Sequence, residues 1–325
     1  MILITGATGF LGAELARQLT NLGHKVRALK RESSVIPAIL EKEPLIEWFV
    51  ADINEFSTLD DAFEGVTQVY HCAALVSFKP KDKFNMIHVN IEGTSNIVNL
   101  CVEHGARLVH VSSVAALGDA KKDAREITED DYWEYNAHVH AYAISKYEGE
   151  MEVWRSIAEG LDAVIVNPSV IIGASSGFQG SGAIFKLIKK GLSYYTRGAT
   201  GFVDVEDVAK SMIALMNGSF SAERYTITAE NVHYQQFFQK IAEGFGVDPP
   251  KKEAKAWMMG LAWRAAGIMS AFTGKPASLT RDAAKSSLNE SFYSNEKIKN
   301  AIGIQFKPLD QSITEVCTAL INLQP

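Results

Sequence analysis

Residues 5–12 read TGATGFLG, which places Gly6, Gly9 and Gly12 three apart between an apolar run at residues 1–5 (MILIT) and an amphipathic stretch that begins at Phe10. Each glycine has a geometric reason. Gly6 permits the sharp turn off a strand, Gly9 lets the main chain approach a diphosphate with no Cβ in the way, and Gly12 lets helix and sheet pack closely. The amides that open the following helix then meet the negative charge. A glycine pattern alone is weak, but in this strand, turn and helix context it reads as a dinucleotide-binding turn.

Outward from that turn, short β-branched runs alternate with helix-length amphipathic stretches. Strands are predicted near 1–5, 25–30, 46–51, 68–72, 107–112 and 162–167. Helices are predicted at 10–22, closed by Gly23, at 83–103, and at 142–159, ended by Gly160. Right-handed crossovers between parallel neighbours turn such a series into an α/β fold, a doubly wound parallel sheet of Rossmann type. Past Asn167 the composition changes, and residues 173–182 (GASSGFQGSG) read as a mobile loop and candidate lid. The remainder reads as mainly helical, near 205–217, 233–245, 253–273, 279–288, 294–301 and 310–322, with a strand at 224–228 and no internal repeat. The expected division is a dinucleotide-binding part at 1–172, joined again by 203–228, and a smaller, mainly helical substrate-binding part at 173–202 and 229–325.

Composition narrows the classes. The 325 residues are 47% apolar and 22% charged, which excludes disorder as the main state. Thirty-two basic against 38 acidic residues leave a net charge of −6, so no nucleic-acid partner is expected. Cys72, Cys101 and Cys317 are odd in number and form no C-x-x-C or Cys/His cluster, so a reducing cytoplasm is the expected location. The apolar run after Met1 meets Gly6 with no charged n-region, so no signal peptide is expected. His138 and His140 (AHVHAY) form no recognised ligand spacing with Asp131 or Glu134, and no metal is expected. Residues 253–273 (EAKAWMMGLAWRAAGIMSAFT) are interrupted by Lys255 and Arg264 before an integral membrane span of about 20 apolar residues is reached. That stretch reads as a buried or lid-forming helix, with a lipid-binding face as the alternative.

Tyr142 and Lys146 (YAISK) lie four apart and so share one face of a helix. Proton transfer to a carbonyl oxygen needs an acid nearer neutrality than tyrosine's usual value of about 10, and a neighbouring ammonium lowers it. A hydroxyl at the end of the fifth strand, Ser112 or Ser113 in VHVSSVAALG, can orient a substrate carbonyl or stabilise charge on its oxygen. Chance produces many Tyr-x-x-x-Lys pairs, but this one opens the helix before the sixth strand, behind a glycine-rich first turn.

With these motifs the chain resembles an extended short-chain dehydrogenase/reductase, the class that includes nucleotide-sugar epimerases, dihydroflavonol-reductase-like enzymes and 3β-hydroxysteroid dehydrogenases. T-G-x-x-G-x-x-G is that superfamily's form of the turn, and the resemblance covers nearly the whole chain. It implies that Ser113, Tyr142 and Lys146 form a catalytic triad, that Lys146 also holds the nicotinamide ribose, and that Asn90 (HVNIEGTSNIV) supports the site. Cofactor contacts are implied for Gly6, Thr8, Gly9, Phe10, Leu11 and Gly12 in the turn, and for Asp52 and Ile53 (ADINE) at the adenine. They are implied also for Ala73 and Ala74 (HCAAL) over the adenosine and ribose, for Ser112, and for Pro168 and Ser169 (VNPSVIIG) beside the nicotinamide. Helix capping and loop hydrogen bonding are the alternative roles of Asp52 and Asn90. A homodimer through the two long helices is implied by the resemblance alone.

Folds of this kind tell NAD from NADP at the end of the second strand, where an acid accepts from a ribose hydroxyl or an arginine pairs with a 2′-phosphate. The position reads Lys30-Arg31-Glu32, and VRALKR is similar to the VRA-x-x-R of dihydroflavonol-reductase-like enzymes. NADP is therefore the expected cofactor, with Arg31 and Lys30 at the phosphate, and Glu32 keeps NAD open. Val114 and Ala115 stand where related dehydratases carry an Asp-Glu pair, and Thr200 stands where epimerases place a diphosphate-binding arginine, with Arg197 out of register. The resemblance then implies an NADP-dependent oxidoreductase that transfers a hydride between the nicotinamide and a carbonyl or alcohol of a small-molecule substrate. Residues 76–84, 117–138, 173–200 and 253–290 should touch that substrate. Their Phe78, Trp133, Tyr135, Tyr194, Tyr195, Trp257 and Trp263 imply an apolar or aromatic pocket, with core packing as the alternative. A nucleotide-sugar epimerase with tightly held NAD and a non-catalytic dinucleotide sensor stay open as other readings.

Overall fold

The computed structural model describes residues 1–77, 82–118, 125–134, 141–178, 180–273 and 279–322. Seven strands make one sheet: β1 (Ile2–Thr5), β2 (Val26–Lys30), β3 (Ile46–Val50), β4 (Gln68–His71), β5 (Arg107–Val111), β6 (Ala163–Pro168) and β10 (Glu223–Ile227). Their order is β10-β6-β5-β4-β1-β2-β3, and every pairing is parallel. Side chains alternate between two cores, as a strand buried on both faces requires. Ile2, Ile4, Val109 and Val164 face one core, with α1 (Phe10–Asn21) and α6 (Val205–Asn217). Leu3, Val69, Leu108 and Ile165 face the other, with α3 (Lys83–His104) and α4 (Ala141–Ala158); the short α2 (Phe56–Asp60) adds Leu59 to it. This is the expected doubly wound sheet, and Gly23 and Gly160 end their helices with φ +84° and +106°. The order reverses between β1 and β4, which opens a crevice at the carboxyl ends of these strands.

The second half is mainly helical, as expected, and adds short strands that were not. β7 (Val170–Ile172), β9 (Ala199–Asp204) and β11 (Glu230–His233) form a second, mixed sheet, while β8 (Tyr194–Tyr195) pairs with β12 (Lys252–Glu253). The glycine-rich segment carries a single short 3-10 turn, Ala174–Ser176, and leads into α5 (Gly182–Lys189). With α7 (Tyr234–Phe245) and α11 (Leu309–Asn322), this sheet encloses a third core around Phe185, Phe202 and Phe237.

Three more helices follow α7: α8 (Ala256–Thr273), α9 (Arg281–Ser286) and α10 (Glu296–Ile302). Burial of the apolar 253–273 stretch is overturned, because none of the described side chains of α8 is buried. Among the described residues no helix is long and apolar enough to cross a membrane.

Phe237 is fully buried, stacked on Phe202 with ring centroids 4.0 Å apart. Phe237→Ala should therefore cost about 3–5 kcal/mol, read as a lower urea midpoint at an unchanged m-value.

Candidate active site

The crevice between β1 and β4 is built by the glycine turn. Gly6 sits at φ +69°, and a Cβ there would lie 2.7 Å from the amide nitrogen of Ala73. Only glycine lets the loop after β4 rest on this turn. A Cβ on Gly12 would run into the Gly6 carbonyl, so Gly12 closes the helix against the turn itself, where packing against the sheet was expected. Gly9 is the N-cap of α1, and no side chain caps that helix, which leaves its first-turn amides to an anion.

A cavity of about 300 Å³ fills the crevice. Of the residues expected at a cofactor, Gly6, Thr8, Gly9, Lys30, Arg31, Asp52, Ile53, Ala73 and Ala74 all line it. Ser34, Asn54, Cys72, Leu75 and Val89 line it too and carry no motif that sequence reasoning could have used. Arg31 is exposed and Lys30 half-buried, and neither has an ion-pair partner among the described residues. Asp52 accepts from the amide of Asn54 at 3.0 Å and from its side chain at 3.3 Å, so its loop hydrogen bonding is visible at the cavity wall, while Glu55 and not Asp52 starts the next helix. Burial pushes the Cys72 thiol up to about 12, with Lys146 opposing.

Five of the expected residues are placed differently. Leu11 is buried in the core of α1, and the ring tip of Phe10 comes within 3.1 Å of where a Cβ on Gly173 would lie, so neither side chain faces the cavity. Ser112 donates to Glu150 at 2.6 Å in the interior. Ser169 is buried against Thr228 at 3.0 Å, in the seam where Gly201 leaves room for it. Pro168 ends β6 beside that seam.

Ser113 and Tyr142 do come together, and Lys146 follows one turn beyond Tyr142 on α4. Ser113 Oγ accepts from the amide of Ala115 at 3.2 Å, which fixes the hydroxyl at the head of the turn Val114–Ala116. Burial raises the Tyr142 phenol above its ordinary value, and a hydrogen bond with the Ser113 side chain opposes that rise. The lowering influence on Tyr142 is therefore Ser113, not Lys146 as the spacing alone implied. Lys146 donates to the Val111 carbonyl at 2.9 Å; burial lowers it to about 8, while Cys72 and Glu150 oppose.

Glu150, one turn beyond Lys146 on α4, is wholly buried and was not anticipated. It accepts from Ser112, from Asn167 at 2.9 Å, from Trp154 at 3.2 Å and from Arg224 at 3.2 Å. Asn167 also donates to the Ser113 carbonyl at 3.0 Å, which ties the serine's main chain to β6. Arg224 donates further to the carbonyls of Glu129 and Asp131, anchoring the loop that packs beside α4. Asn90 touches no group of the triad. Its amide bonds both main-chain groups of Leu75, at 2.7 and 3.0 Å, and donates to Ser145 at 3.0 Å, so it is a positioning residue.

A buried row of hydrogen bonds runs beneath the cavity. Thr94 donates to the Asn90 carbonyl at 2.7 Å, so it can only accept from His71 Nε2 at 3.2 Å. His71 Nδ1 must then accept from Thr5 at 2.7 Å, and Thr5 accepts in turn from the Ala73 amide at 3.1 Å. Burial holds His71 down at about 3, with Lys146 adding to the effect. His110 lies 5.2 Å from His71, ring to ring, and is also held well below its ordinary value by burial, then by His71 and Lys146. Neither of its ring nitrogens has a hydrogen-bond partner among the described residues.

Of the aromatics expected at a substrate, Trp133 stacks on Tyr147 at 4.3 Å, Tyr194 is exposed, Tyr195 and Trp263 are half-buried, and Trp257 is exposed on α8. Phe78, Tyr135, His138 and His140 lie outside the described residues.

A family model described as the NAD dependent epimerase/dehydratase family matches residues 2–228. The chain is 31% identical, over 96% of its length and 92% of the relative's, to the Synechocystis sp. protein named "Putative dihydroflavonol 4-reductase". It is 32% identical to Sterol demethylase protein B of Methylococcus capsulatus, over 77% of this chain and 76% of that one. The crystal structure of gox2253 superposes with a TM-score of 0.84 at 28% identity, over 99% of this chain and 98% of that one.

The two histidines set an acid limit. Below the ordinary value of 6.5 the unfolded chain binds protons at both, while folded His71 refuses one until about pH 3, so stability is full above 6.5 and falls through that window. Each histidine should contribute a slope of about 1.4 kcal/mol per pH unit there. His110→Leu should remove about half of that slope without lowering stability at neutral pH, read from urea midpoints across the window.

Proposed function

Because the chain belongs to the NAD dependent epimerase/dehydratase family and is an enzyme of its oxidoreductase kind, we propose that it transfers a hydride between NADP(H) and the carbonyl or alcohol carbon of a small, apolar or aromatic substrate. The observation that carries this reading is the hydrogen bond between Tyr142 and Ser113, with Lys146 one turn along α4 at the Val111 carbonyl and the glycine cradle alongside. The cradle fits a dinucleotide: Gly6 and Gly12 hold positions that a Cβ would fill, and the uncapped start of α1 opens onto the cavity. Gly9 and the α1 amides would hold the diphosphate, Asp52 and Ile53 the adenosine end, and Arg31 the 2′-phosphate.

When bound, the nicotinamide supplies or takes up the hydride. The chain's own residues handle the proton. Burial keeps the Tyr142 phenol protonated at neutral pH, as a proton donor requires, so its Oη can protonate the substrate oxygen in the reducing direction. Ser113 Oγ, already hydrogen-bonded to that phenol, holds the same oxygen. The Ser113 hydrogen bond, which opposes the rise of that phenol, favours the phenolate left behind, and Lys146, fixed by the Val111 carbonyl one turn along α4, would hold the nicotinamide ribose. Val114 and Ala115 offer no acid and base for a dehydration, and Thr200, paired with Val232 inside β9, carries no charge for a sugar diphosphate.

Tyr142→Phe should abolish turnover and leave dinucleotide affinity unchanged in a fluorescence titration; retained turnover would remove Tyr142 from the mechanism. The same titration should favour NADPH over NADH, and Arg31→Ala should cost NADPH about tenfold or more in affinity while sparing NADH. A tightly retained NAD with no response to Arg31→Ala would point to the epimerase reading.

A further inference from the structure

Helix α8 is apolar around most of its circumference, yet none of its described side chains is buried. Trp257, Leu261, Arg264 and Ile268 follow one another at steps of four, three and four residues, which puts them on one face. On that face Trp257 is 66% exposed, Leu261 59% and Ile268 61%, with Met269 beside them at 64%. Met259, Trp263 and Ala266, on the opposite side, are half-buried. Scattered surface hydrophobes are ordinary, but a continuous stripe of large ones that includes a tryptophan marks a contact surface.

Charge says what covers it. From Ala254 to Arg281 the sequence contains no aspartate or glutamate, and every charged residue there is a lysine or arginine, within a chain of net charge −6. Lys255 and Arg264 have no carboxylate partner among the described residues. Arg264 lies over the Trp263 ring at 4.6 Å and donates to the Gly260 carbonyl at 2.6 Å. Pairing with a second copy about the middle of the stripe would bring Arg264 within about one helical turn of its own counterpart with no carboxylate to offset the repulsion. An anionic lipid surface meets both demands at once: acyl chains for the stripe and phosphates for the cations.

We propose that α8 is a membrane-docking helix that lies flat on an anionic phospholipid bilayer. Trp257, Leu261 and Ile268 enter the acyl boundary, and Lys255 and Arg264 lie among the lipid phosphates. The proposal stands apart from the oxidoreductase reading, since it uses no residue of the cofactor cavity and neither Ser113, Tyr142 nor Lys146.

The test is flotation of the whole protein with extruded vesicles, either phosphatidylcholine alone or phosphatidylcholine in which about a third of the lipid is replaced by phosphatidylglycerol. The anionic vesicles should bind about tenfold more tightly, salt should weaken that binding, and tryptophan emission should shift to the blue. Leu261→Glu should abolish flotation, and Arg264→Glu, a surface charge reversal that leaves the fold alone, should remove most of the preference for anionic lipid. Dinucleotide titration of both variants checks that they are folded. Absence of flotation with either vesicle, binding indifferent to lipid charge, or full binding by folded Leu261→Glu would overturn the proposal. So would a dimer in sedimentation velocity that Leu261→Glu dissociates, because the stripe would then belong to a second copy.

Discussion

A carboxylate with no exposure to solvent holds the Ser113 and Lys146 end of the molecule together. Glu150 would cost several kcal/mol to bury alone, on the order of 3–5 kcal/mol if a single partner were removed. Four donors, from Ser112, Asn167, Trp154 and Arg224, meet its two oxygens. Because those donors sit just past β5 and on β6, α4 and β10, the elements cannot shift independently without leaving part of that charge unpaired. Lys146 lies one turn before Glu150 on the same helix, and Ser113 follows Ser112, so the geometry of the triad is inherited from a contact that none of its members makes.

The cofactor side is held by neutral groups. The row from Ala73 through Thr5, His71 and Thr94 to Asn90 has one proton per link and one direction, which leaves each member a single role. Asn90 then returns to the loop through both main-chain groups of Leu75. The loop over the cavity is thereby fixed at its start and its end, while Gly6 lets it lie close. The positive charge of Lys146 reaches both histidines, so the two halves of the site communicate through electrostatics as well as through the sheet.

The first six strands were legible because each is a short run rich in β-formers and bounded by turn residues, and all but the edge strand β3 are largely buried. The second sheet was not. β7 is three residues long and follows Pro168 and Ser169, β9 contains Gly201, and β11 reads ENVH, so none shows the apolar run or clean alternation that marks a strand. Within the site, the glycine turn and the Tyr142–Lys146 pair are local patterns, and local patterns survive in sequence. Glu150, Asn167 and Arg224 meet across separations of 17 and 74 residues, and no local period records such a meeting. The apolar composition of α8 pointed to burial, because composition reports how much a segment gains by leaving water but not what it meets there.

Cys72 lines the cavity and sits next to the Ala73 amide, yet burial holds its thiol protonated well beyond physiological pH. A thiol is a weak nucleophile, since alkylating agents and peroxides react with the thiolate. The wall of the cavity therefore carries a sulfur atom that behaves as a small apolar surface.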